Sequence, residues 1–347
     1  MKSLTIRDIA RLAGVSVTTV SRVLNHRPDV NADTREHVER IIRQHHFVGN
    51  SNARELKQSN DVIGLIIRGR SNPFLNALAE AILDRADAAA PRFLTEYIDE
   101  REDEFLTALH MLQRARVLGF IFVGSKVDQR AQVIQSLDLP MVFTTVSADG
   151  FPLPRAASIA IDDSAMGYLV AEQLLNLGHR RIAVFGANPV AGDSLARRFD
   201  GFCRAFKDRG LTYDPALFSE TRFSLQAGYQ TARKFIRSHP DITALFAMSD
   251  TVAIGAMRAF SDLHMRIPED ISVFGFDGID LSDFTLPRLA TVEQPVNEIA
   301  RSSVELLMEM LNENAPPRQL LVNAKLRRRE SLAPPCTGLP SGADSRV

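Results

Sequence analysis

Residues 13–25 read AGVSVTTVSRVLN: a glycine, then a run of hydroxyls and valines with a single arginine and no carboxylate. A helix that only covers a core normally meets water with mixed charges. Here Val20, Val23 and Leu24 recur at helical spacing and predict an inner face. Val17, Thr18, Ser21, Arg22 and Asn25 then fall together on the outer face. Small hydroxyls, methyls and one guanidinium suit a surface that must come close to its partner.

Upstream, Thr5 is predicted to cap a first helix, with Asp8 complementing its N-terminus. Ile6, Ile9, Ala10 and Ala13 form one apolar stripe, and Gly14-Val15-Ser16 breaks the helix so that Ser16 caps the next. A third helix is expected from about Ala32, with Val38, Ile41, Ile42 and His45 inward. Two helices joined by a tight glycine turn, with small Ala10 at their crossing, predict a helix-turn-helix. Its second helix would enter the major groove. Val17 and the threonine methyls would meet thymine methyls, Arg22 a guanine, and the hydroxyls phosphates or bases. An ordinary three-helix bundle shares the inner stripe; the hydroxyl-rich outer face favours DNA.

The charge distribution agrees. Residues 1–60 hold ten Lys/Arg against six Asp/Glu, and the remainder holds 31 against 36, so a basic head sits on an acidic body. That asymmetry points to an anionic partner for the head alone. Two cysteines exclude a disulfide framework and a cysteine zinc site. No apolar run is long enough to span a bilayer, and residues 1–14 lack a signal-like stretch, so a cytoplasmic, nucleoid-associated protein without a membrane partner is expected. No GxxxxGK[ST], GxSxG or HExxH pattern occurs, and His45-His46 reads as a helix end. We therefore expect no enzyme, no catalytic residue, no metal and no cofactor. A transport protein would need an export signal.

Residues 49–60, GNSNARELKQSN, are polar except for Ala53 and Leu56. They read equally as a linker or as a short helix with Leu56 as a minor-groove wedge and Asn50 and Arg54 on the groove edge or backbone. After Asp61 the texture changes. VIGLII, GFIFVG, PMVFTT, RIAVFG, TALFAMS and ISVFGF read as buried parallel strands separated by helical stretches. That alternation predicts a doubly wound α/β body, too long for one sheet and therefore two-lobed. Ligands in such folds bind beyond the carboxyl ends of the strands. There lie Ser71-Asn72-Pro73-Phe74, Thr144-Thr145, Ser249-Asp250 and Phe276-Asp277. Asp250 and Asp277 can accept hydrogen bonds, Arg198 can donate in a fork, and Phe74 and Phe223 can stack on a sugar face. Asp250 reads equally well as a helix cap.

TIRDIARLAGVSVTTVSRVLN, VNADTREHVERIIRQHHF, NARELKQ and VIGLIIRGRSNPF together resemble the lac repressor family of bacterial transcription regulators, in register to about residue 330. The resemblance implies an all-α headpiece (1–48), a hinge helix (49–60) and a body like a periplasmic sugar-binding protein (61–330). It implies a repressor that binds palindromic double-stranded DNA as a homodimer under control of a small sugar-like effector. A corepressor or a protein coregulator is the alternative. Val17 and Thr18 would then choose the operator and Arg22 would make a further base contact. Thr5, Ser16, Thr19, Ser21, Asn25 and Thr34 would hold phosphates, and Leu56 would insert at the operator centre beside Asn50, Ala53 and Arg54. The effector would meet Ser71, Phe74, Thr145, Ser194, Arg198, Phe223, Ser249, Asp250 and Asp277. Three departures stand out: Gly49 replaces the usual proline before the hinge, Thr145 an acid or amide, and Gly278 an Asp or Asn. Arg68 and Arg70 near the mouth could favour an acidic or phosphorylated sugar, but read more readily as solvated charges. Lobe 1 is expected to comprise about 62–160 plus 289–319, with the 296–312 region helping to form the dimer face. Lobe 2 would comprise about 162–288 plus 320–330, and 331–347 would be a disordered tail. That tail has no leucine heptads, so a dimer is expected rather than a tetramer.

Overall fold

A computed structural model of the chain describes residues 6–24, 30–44, 61–85, 91–125, 138–147, 155–187 and 193–336. Two compact units result, Met1–Asn60 and Asp61–Val347. In the first, α1 (Ile6–Leu12), α2 (Val17–Leu24) and α3 (Ala32–Gln44) close around Ile9, Ala10, Ala13, Val20, Val23 and Val38. One residue makes the α1–α2 turn. Gly14 takes φ +62°, where a side chain would be strained, and lets its own N–H donate to Arg11 O (3.3 Å) and that of Val15 to Ala10 O (3.1 Å). This pairing satisfies the last carbonyls of α1. Ser16 Oγ then accepts from Thr19 N at 3.0 Å and caps α2. Asn31 Oδ1 accepts from Asp33 N at 2.9 Å and starts α3. Thr5 and His45 lie outside the described residues.

The second unit opens with β1 (Asp61–Arg68), α4 (Pro73–Leu83), β2 (Arg92–Ile98), α5 (Glu104–Arg114), β3 (Arg116–Val123), β4 (Met141–Thr144) and β5 (Ala156–Ile161). Then come α6 (Asp163–Asn176), β6 (Ile182–Gly186), α7 (Ser194–Asp208), β7 (Phe218–Glu220), α8 (Leu225–Ser238), β8 (Ala244–Ala247), α9 (Asp250–Asp262), β9 (Ser272–Asp277) and β10 (Ala290–Glu293). The chain ends with α10 (Val296–Asn312), β11 (Gln319–Val322) and β12 (Lys325–Arg327). Two six-stranded sheets form, ordered β11-β5-β4-β3-β1-β2 and β12-β10-β9-β8-β6-β7. All neighbours are parallel except β12, which runs antiparallel to β10. Strands β4, β5, β6, β8 and β9 are buried along their whole length, as helices on both faces of a parallel sheet require. Each sheet reverses its winding once, between β1 and β3 and between β6 and β8. Those are the two points at which a doubly wound sheet leaves a crevice.

Two boundary expectations need correction. The strand β10 stays in the second sheet, paired with β9, because Ala290–Glu293 continues the β9 ladder; only α10 returns to pack on α4, β3, β4 and β5. The expected single crossing strand at 320–328 is two strands, with β11 pairing β5 and β12 pairing β10. The chain therefore passes between lobes three times, after β5, after β10 and after β11. The expected tail is also shorter, since Ser331 is fully buried. Its Oγ donates to Val273 O at 2.6 Å and accepts from Ala290 N at 2.8 Å. Ala333 O meets His179 Nε2 at 2.9 Å. A carbonyl only accepts, so Nε2 carries the proton and Nδ1 accepts from Thr243 Oγ1 at 2.9 Å. Among the described residues, no helix is long and apolar enough to cross a membrane.

Candidate DNA-binding surface and effector cleft

The outer side of α2 forms as its sequence requires. Val17 is 42% exposed, Ser16, Thr18 and Arg22 are exposed, and Thr19 and Thr34 are half-buried. The first turn of α2 carries no carboxylate. Ser16 and Thr19 are tied together, their hydroxyls 2.9 Å apart, so part of this polarity serves the cap. Ser21 falls within α2. Asn25, Asn50, Ala53, Arg54 and Leu56, with Gly49, lie outside the described residues, as Thr5 does.

In the second unit a cleft opens between the lobes at the carboxyl ends of both sheets. It encloses about 920 Å³ between atoms, the open mouth included, a size suited to a small ligand. Six of the nine expected effector residues line it: Phe74, Thr145, Ser194, Arg198, Phe223 and Asp277. Their placement follows from helix starts. Asn72 caps α4 by accepting from Phe74 N (3.0 Å) and so sets Phe74 at the rim of the β1 crevice. Asp193 caps α7, accepting from Ala196 N at 2.6 Å, and sets Ser194 at the β6 crevice. Ser194 Oγ reaches across the lobes to donate to Thr145 O at 3.1 Å.

Arg198, one turn into α7, is held from three sides. Asp163 Oδ1 accepts from its Nε (3.1 Å) and Nη2 (2.8 Å), and Met248 O accepts from Nη1 at 2.7 Å. Its guanidinium lies 3.2 Å over the Phe276 ring centre. Two of its five N–H groups remain for a ligand. The helix that carries it can approach α6 only because Gly201 and Gly167 lack side chains. A Cβ on Gly201 would lie 1.9 Å from Ser164 O, and one on Gly167 would lie 1.9 Å from Arg198 O.

Three expected residues do not line the cleft. Ser71 is exposed, and its neighbour Asn72 takes the lining position. Ser249 is buried and caps α9, accepting from Val252 N at 3.3 Å. Asp250 is neither cap nor cleft residue. Its Oδ2 accepts from Gly278 N (2.8 Å) and Ile279 N (2.9 Å), and Oδ1 accepts from Thr291 Oγ1 at 2.6 Å. It fastens the loop after β9 to β10. Burial outweighs those bonds and pushes its pKa up to about 7. Asp277, in the cleft wall, accepts from Gln294 Nε2 at 3.0 Å. Burial, aided by the neighbouring Asp250 charge and opposed by Arg198, raises its carboxyl well above the usual range. Burial likewise raises Asp163 against the pull of Arg198.

Strain gathers here as well. Thr145 (φ +76°) and Asp277 (φ +118°) hold left-handed backbone without being glycine, one on each lobe, a conformation that survives only where surroundings enforce it. Gly278 has a local reason to replace a larger residue: at φ +74° its Cβ would lie 2.6 Å from Glu293 Cα. Sequence reasoning assigned no effector role to Asn72, Ser125, Asp193 and Gln294, which line the cleft, and preferred a solvated Arg68 to one facing an acidic ligand. The Arg68 side chain is 10% exposed, with Glu104 Oε2 3.5 Å from its Nε; Arg70 is exposed and donates from Nε to Tyr97 O at 2.8 Å. Asn72 and Ser125 follow β1 and β3, so the strand-end rule that found Phe74 applies to them too.

A basic helix-turn-helix headpiece on a two-lobed body with a ligand-sized cleft defines a ligand-responsive DNA-binding regulator. Residues 5–50 match the model for bacterial regulatory proteins of the lacI family, and residues 171–332 match that for the periplasmic binding protein-like domain. The HTH-type transcriptional regulator MalR of Clostridium butyricum is 31% identical over 330 residues, covering 94% of this chain and 98% of its own. A lac repressor dimer bound to operator and the anti-inducer ONPF aligns with TM-score 0.74 at 29% identity, over 96% of this chain and 100% of that one. The regulator CelR in complex with cellobiose aligns with TM-score 0.70 at 26% identity, over 94% and 99%. The chain belongs to the lacI family of bacterial regulatory proteins: it is a DNA-binding transcriptional regulator.

Proposed function

We propose that the protein is a repressor that binds a near-palindromic operator as a homodimer and that a sugar-like effector between its lobes sets its affinity for DNA. One observation carries this reading: the cleft sits at the winding reversal of both sheets, with polar groups and an aromatic ring, Phe74 or Phe223, from each lobe. Rings suit the apolar faces of a sugar and the polar groups its hydroxyls, and CelR holds cellobiose.

On the headpiece, Val17 and Thr18 choose the operator letters and Arg22 adds a base contact. Thr5, Ser16, Thr19, Ser21, Asn25 and Thr34 hold phosphates. Leu56 inserts at the centre, beside Asn50, Ala53 and Arg54. A dimer is supported by an apolar patch that a monomer would leave wet, with Leu281 47%, Phe284 80% and Leu286 96% exposed. The effector acts only if it binds the DNA-bound and DNA-free states with different affinity. The reading is that of a binding protein acting on DNA in the cytoplasm.

The test is selection of bound duplexes from a random library by the full chain, with and without sugars. The expected outcome is a symmetric site whose occupancy one sugar class changes. A library without symmetric enrichment, or one that no sugar alters, overturns the proposal.

A further inference from the structure

One hydrogen-bond donor of the cleft wall lacks an acceptor, on Arg68 at the end of β1. Its side chain is nine-tenths buried, yet its Nε has no hydrogen-bond partner. Among the described residues its one hydrogen bond runs from Nη2 to Glu100 O. A buried guanidinium N–H without an acceptor is a costly state. Glu104 is the ion-pair partner of Arg68, yet no nearby carboxylate supplies that hydrogen bond. Glu104, itself buried, stands 3.5 Å from the Arg68 Nε but takes the Ser125 hydroxyl on its other oxygen. Glu100 faces Arg222 of the opposite lobe, Oε2 to Nε 3.8 Å. Asp193 caps α7. Asp277 accepts from Gln294, and its burial disfavours the charged form. Across the cleft Arg198 keeps two further N–H groups.

We propose that the effector is an anionic sugar whose oxyanion, a ring carboxylate or a phosphoester, is bound by Arg68. This rests on the regulator reading above and names the ligand class for its cleft. A planar guanidinium with an open, buried N–H matches an oxyanion in fork geometry, whereas a neutral hydroxyl occupies one donor at a time. Lobe 1 would read the charge while Phe74, Phe223 and Arg198 hold the ring.

The experiment titrates the full-length protein calorimetrically with two matched trios: glucose, glucuronate and glucose 6-phosphate, and the three galactose counterparts. The same titrations use the double variant Arg68→Met/Glu104→Gln, which removes both charges so that neither is left buried alone. We expect a charged member of one trio to bind at least about tenfold more tightly than its neutral sugar. The double variant should erase that preference. Which charged member wins separates carboxylate from phosphoester. Arg68→Lys, which keeps the charge but loses the fork, should lower the preference and serves if the double variant does not fold. A neutral sugar binding as tightly as its charged partners, no charged member binding, or a preference surviving in both variants overturns the inference. A neutral sugar that binds and alters operator occupancy would sink the anion reading and leave the regulator reading standing. Anion preference without any operator would do the reverse.

Discussion

The carboxylate of Asp250 accepts three hydrogen bonds, and burial still holds its pKa at about 7 against an ordinary 3.8. The folded chain therefore keeps a proton there that the unfolded chain has lost. This group's contribution to stability is full below pH 3.8 and declines as pH rises through about 7. Asp250→Asn retains an acceptor oxygen and abolishes the titration. Thermal melts should show a variant midpoint that falls less than that of wild type over this interval; parallel profiles would contradict the assignment. Asp250 and Asp277 also mark how far the sequence could be read. Both stand at strand ends, and the strand-end rule selects both. Only the pairing of β9 with β10 turns Asp250 towards Gly278, Ile279 and Thr291 while leaving Asp277 in the cleft wall.

Among the elements, α7 does most to shape the site, since it supplies Ser194 and Arg198. Its seat against α6 depends on a backbone approach that admits no Cβ at position 201. Gly201→Ala must push the helices apart. A loss of about 1–3 kcal/mol in chemical denaturation is expected, with weaker effector binding because Arg198 moves relative to Asp163. Operator binding without effector should survive; equal losses in both would place the damage elsewhere. Strands with continuous apolar runs, such as β3 and β9, were legible from composition. The mixed burial of β2, an edge strand, and the small residues of β5 hid those two. Nothing in the periodicity of Ala290–Glu293 or Gln319–Val322 says which sheet each joins, because that depends on partners distant in sequence. The preference for a solvated Arg68 failed for a related reason: its burial comes from α5 and the loop after β2.

For the whole molecule, the dimer proposed above rests on the exposed patch at Leu281–Leu286. Replacing Phe284 and Leu286 together by glutamate should give monomers in sedimentation velocity and weaken operator binding, because a lone headpiece meets only half a palindrome. The melting midpoint should fall and lose its dependence on protein concentration, because association no longer stabilises the folded state. A variant that remains dimeric would move the interface elsewhere. The two-lobed body, its basic head and the cleft at the strand ends all followed from strand–helix alternation and charge distribution. The triple passage of the chain between lobes was expected from the family resemblance, with boundaries a few residues off, and it has a genetic corollary. Neither half is an uninterrupted stretch of coding sequence, so neither can be excised as a working fragment. A stop codon just before Gln319 would remove β11 from one sheet, β12 from the other and the Ser331 anchor with them, so a late nonsense mutation should cripple both halves at once.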